Sequence, residues 1–449
     1  MEPLGLNSDK RRWLALTALT VMVGVASGLG GMGLGLLLRI VQHVAYSYSL
    51  HKIVGGESFL QGVTAASDLR RFVVLCVCGA VAGVGWWLLY RFGKPLVSIS
   101  RAVQDNGLRM PFIATLIHAV LQVVTVGLGS PLGREVAPRE LGAAIATKLC
   151  ARAGLSEESS RIMLACAAGA GLAAVYDVPF GATLFTLEVL LGTFRFSALL
   201  PALATSAIAT GVAWLGLGNG PQYLLPPLAI SRALVLWSIL MGPVFGVTAY
   251  FFVRATSIAR AHAPKGWQRL VWCAAVFPAI GLLAIPFPQL LGNGKGLAHA
   301  GLEGDLSVAL AAALLLLRLI VIICALRAGA AGGLLTPGFS IGGLLGVILG
   351  SFWTHQSQAG SLGAFAVVGG AAFLASSMKM PLTAIVLTIE FTGIAHNFLV
   401  PISLAVVGSV CVSHLCTQHA VRAEQKPVSI SVAAASLEHQ DHAYDVRSD

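Results

Sequence analysis

Apolar runs long enough to cross a bilayer recur along the whole chain, and they leave it few architectures. They fall at about 13–38, 72–90, 111–129, 161–176, 199–217, 233–253, 268–290, 307–326, 339–353, 361–377 and 398–417. A bilayer's hydrocarbon core takes about 20 apolar residues per helix. The runs are continuous rather than alternating, so helices are expected and a lipid-facing β-barrel is not. Charged residues make up 11% of the chain, against about 25% in soluble domains. The expected fold class is an all-α polytopic membrane protein.

The opening MEPLGLNSDKRRW precedes an apolar run longer than the roughly 7–15 residues of a signal-peptide core. It reads as a first membrane helix with Lys10, Arg11 and Arg12 held in the cytoplasm. The net charge of +10 carries no aromatic-studded basic motif. Positive cytoplasmic loops explain it, a field around an anion path is a second use, and no nucleic-acid partner is expected. Most of the eight cysteines sit in apolar runs and none forms C-x-x-C, which makes them packing residues rather than a disulfide or zinc framework. No cofactor or metal is expected. Residues 421–449 are polar and read as a solvated cytoplasmic tail.

The two halves resemble each other. Pro179 and Pro381 are each followed by an apolar stretch ending in glutamate, Glu188 and Glu390, 202 residues apart. GREVAP at 133–138 parallels GGLLTP at 332–337, and RFGKP at 91–95 parallels GNGKG at 292–296. Gly24-x-x-x-Gly28 parallels Gly242-x-x-x-Gly246. The matches keep the same order, so residues 1–420 are read as one membrane domain built by duplication, about 12–218 and 232–420. Duplicated membrane halves mark transporters, whose sites lie between the repeats near the midplane on broken helices.

The interrupted segments here are GSPLGREVAPRE and GAAGGLLTPGFSIGGLLG. A helix start offers backbone amides without partners and a partial positive charge. Glycine lets an ion approach the backbone, and proline suits the first turn. Such a site attracts an anion without holding it as a buried lysine would, as conduction requires. Glu135 is itself an anion and can occupy the amide site until protonated or displaced, which would make it a gate. A helix-end pair with Arg134 or Arg139 is the other reading. An ionisable group at membrane depth favours function.

On these motifs the sequence resembles the CLC family of chloride channels and chloride/proton exchangers, of the bacterial type without a cytoplasmic regulatory domain. GREVAP is similar to the family's G-R-E-G-P segment, GAGLAAVYDVPFGATLFTLEVL to its G-L-A-A…F-x-x-E segment, and GAAGGLLTPGF to its G-A-P-G-G-I-F-A-P segment. The resemblance implies two inverted repeats whose broken helices meet at a midplane anion site. It also implies a homodimer in lipid, with both termini cytoplasmic. The short tail and compact loops lead us to expect a bacterial inner membrane as location. It places Glu135 on the gating glutamate, Arg134 and Val136 on flanking amide donors, and Leu334 and Leu335 on the donors of the second loop.

The sequence also departs from that family. Phe92, next to Gly93, stands where a coordinating serine is usual, leaving only backbone amides to donate. The coordinating tyrosine after the last helix has no counterpart, and Ser429 in KPVS is its nearest match. Proton-coupled members carry a second glutamate where this chain has Val189. The expected activity is chloride transport gated by Glu135, channel-like or weakly proton-coupled. The alternatives are a chloride/proton antiporter whose relay does not need that glutamate, and a carrier of fluoride or nitrate. Glu188 and Glu390 are expected to serve structure, capping helix ends or pairing with Arg195 or Arg318, and Asp177 to end a helix. A membrane enzyme is the rival of another class, but H-E-x-x-H and a second intramembrane aspartate are missing. An organic-solute transporter shares the architecture.

Overall fold

The computed structural model describes the backbone of residues 4–47, 58–105, 109–304, 306–357 and 361–441, with side chains omitted at 4–13, 355–357 and 423–441. The first half contributes α1 (Leu4–Tyr46), α2 (Phe59–Ala65), α3 (Asp68–Phe92), α4 (Ile99–Gln104), α5 (Phe112–Gly127), α6 (Val136–Ala153), α7 (Glu157–Tyr176), α8 (Pro179–Phe185) and α9 (Phe196–Leu217). The second contributes α10 (Arg232–Ala261), α11 (Gln268–Leu283), α12 (Lys295–Glu303), α13 (Val308–Arg327), α14 (Leu335–Ser357), α15 (Leu362–Met378), α16 (Pro381–Thr392) and α17 (Leu399–Asp441). Among the described residues, eight helices are long and apolar enough to cross a membrane. Each expected apolar run falls on a helix, although the run at 268–290 continues past the end of α11 at Leu283, and the chain is an all-α polytopic membrane protein.

The duplication is visible in packing. A Cβ on Gly28 of α1 would lie 2.9 Å from the Ala209 backbone of α9. One on Gly246 of α10 would strike the Ser409 backbone of α17. In lipid, helix association depends on such close backbone approach rather than on hydrophobic burial. The paired glycines therefore set the same two-helix contact in each half.

The halves lock together at α8 and α16. Before each, a helix ends on a left-handed residue, Asp177 (φ 57°) or Lys379 (φ 54°), and restarts with proline at its first position. Asp177 holds its break by accepting hydrogen bonds from Trp214 Nε1 at 2.7 Å and Gly220 N at 2.9 Å. The glutamate of each unit then caps the start of the other. Glu188 accepts from the amides of Leu382 (3.0 Å) and Thr383 (2.8 Å) and from the Thr383 hydroxyl (2.6 Å). Glu390 accepts from the amides of Phe180 (3.0 Å) and Gly181 (2.6 Å). This reciprocity requires the two units to run antiparallel, as inverted repeats do. The caps are helix amides, and neither glutamate pairs with Arg195 or Arg318 as the sequence had allowed. A carboxylate at a helix N-terminus satisfies orphan amides and meets a favourable dipole.

Removing one cap leaves amides unpaired at a half-buried site. Glu390→Ala is expected to lower unfolding stability by about 1–3 kcal/mol, read by thermal unfolding in detergent, and Glu188→Ala by a similar amount.

Candidate functional site

The polar residues in α6 break the apolar pattern, and the reason lies in where that helix starts. After α5 the chain turns at Gly129 (φ +107°) and heads back into the protein. From the other half, the segment after α13 does the same. The two returning segments meet as a bridge of two hydrogen bonds, Gly133 N to Gly333 O (2.8 Å) and Gly333 N to Gly133 O (2.9 Å). Arg318, fully buried, pins the arrangement by donating to the carbonyls of Leu290 (2.8 Å), Gly292 (2.9 Å) and Pro131 (3.0 Å). Arg260 donates to Gly332 O at 3.1 Å. Irregular backbone at membrane depth is tolerated where its groups are satisfied inside protein, and these contacts do so.

Glu135 is the N-cap of α6 and is 0% exposed. Its side chain reaches out of its own helix to the other half, where Oε1 accepts the amide of Leu335, the first residue of α14, at 2.6 Å. Oε2 accepts the Tyr176 hydroxyl at 3.4 Å, and that hydroxyl lies 3.0 Å from Thr336 Oγ1. A Cβ on Gly133 or Gly333 would fall inside contact distance of the carboxylate. Both glycines are thus needed for the carboxylate to reach the amide. Among the described residues no cation lies within ion-pair distance of Glu135, so the pairs with Arg134 or Arg139 do not form.

Arg134 instead lies over the Tyr176 ring, 5.2 Å from its centroid. Val136 opens α6 and Leu334 directly precedes α14, so both sit beside the carboxylate on converging helix starts. Gly93 and Phe92 do not join them. The Gly93 amide is spent closing α3 on Leu89 O at 2.8 Å, so it has nothing left to donate. Phe92 is 75% exposed, its ring against Trp87 at 6.4 Å. The helix after this loop begins at Ile99, and its hydroxyl is Ser98, which caps it by accepting from Arg101 N. Sequence reasoning missed Ser98, although a serine three residues before an arginine at a helix start was there to read.

Ser429 lies in the part of α17 whose side chains fall outside the described residues. Its backbone is 30 residues into an unbroken helix, about 45 Å from the start at 1.5 Å per residue, farther than a hydrocarbon core is thick. It therefore cannot stand at a helix start beside a midplane site. Val189 sits in the π-helical turn Thr186–Leu191, 38% exposed, and its neighbour Glu188 is already the cap of α16. Tyr176 and Thr336 were also missed as site residues.

Toward the end of α9, Arg39, Arg134 and Lys295 gather without a carboxylate within 4.0 Å among the described residues. Lys295 donates to Gln222 Oε1 (3.2 Å), and Gln222 donates to Tyr176 O (3.0 Å), which ties this cluster to the Glu135 site. Water reaches the Lys295 side chain, yet protein closes around it. Desolvation first, then the charges of Arg134 and Arg39, hold its pKa down at about 7. The described residues contain no cluster of three or more His, Cys, Asp or Glu that could hold a metal.

A family model described as voltage gated chloride channel matches residues 78–414. The H(+)/Cl(-) exchange transporter ClcA of Vibrio campbellii is 28% identical over 76% of each chain. The protein of that name from Cronobacter sakazakii is 25% identical over 99% of this chain and 94% of its own. Among solved structures, a slow cyanobacterial Cl-/H+ antiporter superposes with a TM-score of 0.78 at 19% identity, over 90% of this chain and 95% of that one. A CLC-type fluoride/proton antiporter gives 0.69 at 22%, over 89% and 95%.

Gly333→Ala tests the seat of the carboxylate. The new methyl must displace Glu135 from the Leu335 amide, at a cost of about 1–3 kcal/mol in stability for a buried unmade bond. The expected outcome is a lower unfolding midpoint and a structure in which Glu135 no longer touches Leu335. A structure with the bond intact would contradict the cradle.

Proposed function

We propose a function from a settled premise: the chain belongs to the voltage-gated chloride channel family. It moves a small anion, chloride first, across the membrane in exchange for protons, with Glu135 as the gate. The observation that carries this reading is the Glu135 carboxylate on the Leu335 amide, at the point where α6 and α14 begin. That amide, with those of Val136 and Leu334 and the two helix dipoles, suits any compact anion. A chloride ion and the carboxylate compete for one seat, and protonation removes the carboxylate's claim. Arg39, Arg134 and Lys295 supply the field that draws anions to the site from one side.

An uncoupled, channel-like protein is the second reading, and Val189 favours it because a valine carries no proton. Fluoride and nitrate are the other candidate anions.

The same proposal sets the protein as a homodimer in the bilayer of a bacterial inner membrane, with both termini cytoplasmic. Chain alternation puts Lys94, Arg101, Arg109, Arg195, Lys265 and Lys379 in or beside connections on the side where α1 starts. By the positive-inside rule that side is cytoplasmic.

Two measurements in proteoliposomes check the reading. Glu135→Ala is expected to conduct chloride with its pH dependence reduced at least about tenfold and proton movement abolished. Unchanged flux and unchanged pH dependence would contradict the gate. On that Glu135→Ala background, a residual dependence on outside pH is expected from Lys295. It is charged below about 7 and loses its proton as pH rises through that value. Chloride entry from that side then falls by about threefold, and Lys295→Met removes the step. A step that persists in Lys295→Met would assign it elsewhere.

A further inference from the structure

We infer that Glu140 and His118 form the proton station on the cytoplasmic side of Glu135, serving in place of the ionisable group that position 189 lacks. The inference rests on the exchange reading above. Glu140 lies five residues beyond Glu135 on α6, about 7.5 Å along the helix axis toward its cytoplasmic end. Its side chain is 15% exposed, and that of His118, reaching in from α5, is 8% exposed. His118 Nδ1 stands 2.8 Å from Glu140 Oε2, and Gln122 Nε2 lies 3.0 Å from both atoms.

This trio accommodates a proton in two places. With an imidazolium, Nδ1–H donates to the carboxylate and the Gln122 amide donates to it as well. With neutral histidine, a protonated Glu140 donates to Nδ1, and the Gln122 amide still donates to Glu140 Oε2. Neither state leaves the pair unbonded, so the proton shifts between them without breaking the network. A tether between α5 and α6 needs no titratable group, and ionisable side chains at membrane depth mark proton relays.

The surroundings fit a path. The Arg139 guanidinium couples electrostatically to both Glu135 and Glu140, between which it falls on α6. Outward from Glu140, its electrostatic neighbour is Tyr90 of α3, 50% exposed, with the Arg269 guanidinium of α11 4.5 Å from the ring centroid. Trp86 of α3 meets His118 edge to ring, with centroids 6.4 Å apart. Lys148, farther along α6, lies over the Phe112 ring of α5 at 3.7 Å. From α7 and α1, Tyr176 and Arg39 couple to Glu135 and Arg134 rather than to this pair.

The step is a proton transfer only. Protonated Glu140 gives its proton through water to the Glu135 carboxylate. The neutral His118 left beside the Glu140 carboxylate takes a proton from cytoplasmic water, and the imidazolium so formed passes its Nδ1 proton to Glu140, so only O–H and N–H bonds change. Glu188, the carboxylate beside Val189, is committed to capping α16.

The experiment measures the proton-to-chloride ratio of the full-length protein in proteoliposomes, with chloride and pH recorded together. Glu140→Gln keeps hydrogen-bonding capacity toward His118 and Gln122 but cannot ionise. Its ratio is expected to fall at least about tenfold. His118→Gln is expected to lower the ratio as well, since it removes the ring nitrogen that stands 2.8 Å from Glu140 and reloads it. A structural role alone lowers both fluxes together and leaves the ratio unchanged. A wild-type ratio in Glu140→Gln would overturn the relay while leaving exchange intact. Wild-type protein that moves chloride and no protons would overturn the exchange reading, and the relay with it.

Discussion

Two helix starts facing each other inside a membrane protein are the constraint from which the rest of this structure follows. Each start exposes amides that lipid cannot satisfy. The Gly133–Gly333 bridge holds the two returning segments together, and Arg318 fills the carbonyl side. One amide, that of Leu335, is left facing a carboxylate rather than a carbonyl. A backbone carbonyl there would be permanent; a carboxylate can be protonated or displaced. The chemistry of the site is the difference between those two acceptors.

That site depends on the two halves keeping register, and the fold supplies register twice. Glycine-mediated packing sets α1 on α9 and α10 on α17. The exchanged caps of Glu188 and Glu390 tie α8 to α16, each to the other's first turn. The same pattern of proline, apolar stretch and glutamate therefore does structural work in both halves. It also explains why Glu188 is not free to move protons, and why a carboxylate elsewhere has to do so if protons move.

Much of this was legible in the sequence. Continuous apolar runs marked most of the long helices, and the matched prolines and glutamates showed the duplication. Glycine around Glu135 showed that the backbone must come close to something small. What stayed hidden had physical reasons. Helix α6 carries Arg139, Glu140 and Lys148, too polar for a window that seeks lipid-facing helices. Position-by-position likeness put Phe92 at an anion site, because it could not see that α3 continues to Phe92 and spends the Gly93 amide. Tyr176 and Thr336 come from different halves and meet only in three dimensions. His118 and Glu140 lie on different helices, and spacing alone gives no sign that they touch.

An anion and the Glu135 carboxylate are proposed to compete for the Leu335 amide. Bromide located by anomalous scattering tests it directly, in wild-type protein and in Glu135→Gln soaked alike. Bromide is expected at the Leu335 amide in the variant. In the wild type it is expected there only where the carboxylate has left. Bromide beside an unmoved Glu135 carboxylate, or an empty amide in Glu135→Gln at high bromide, would contradict it.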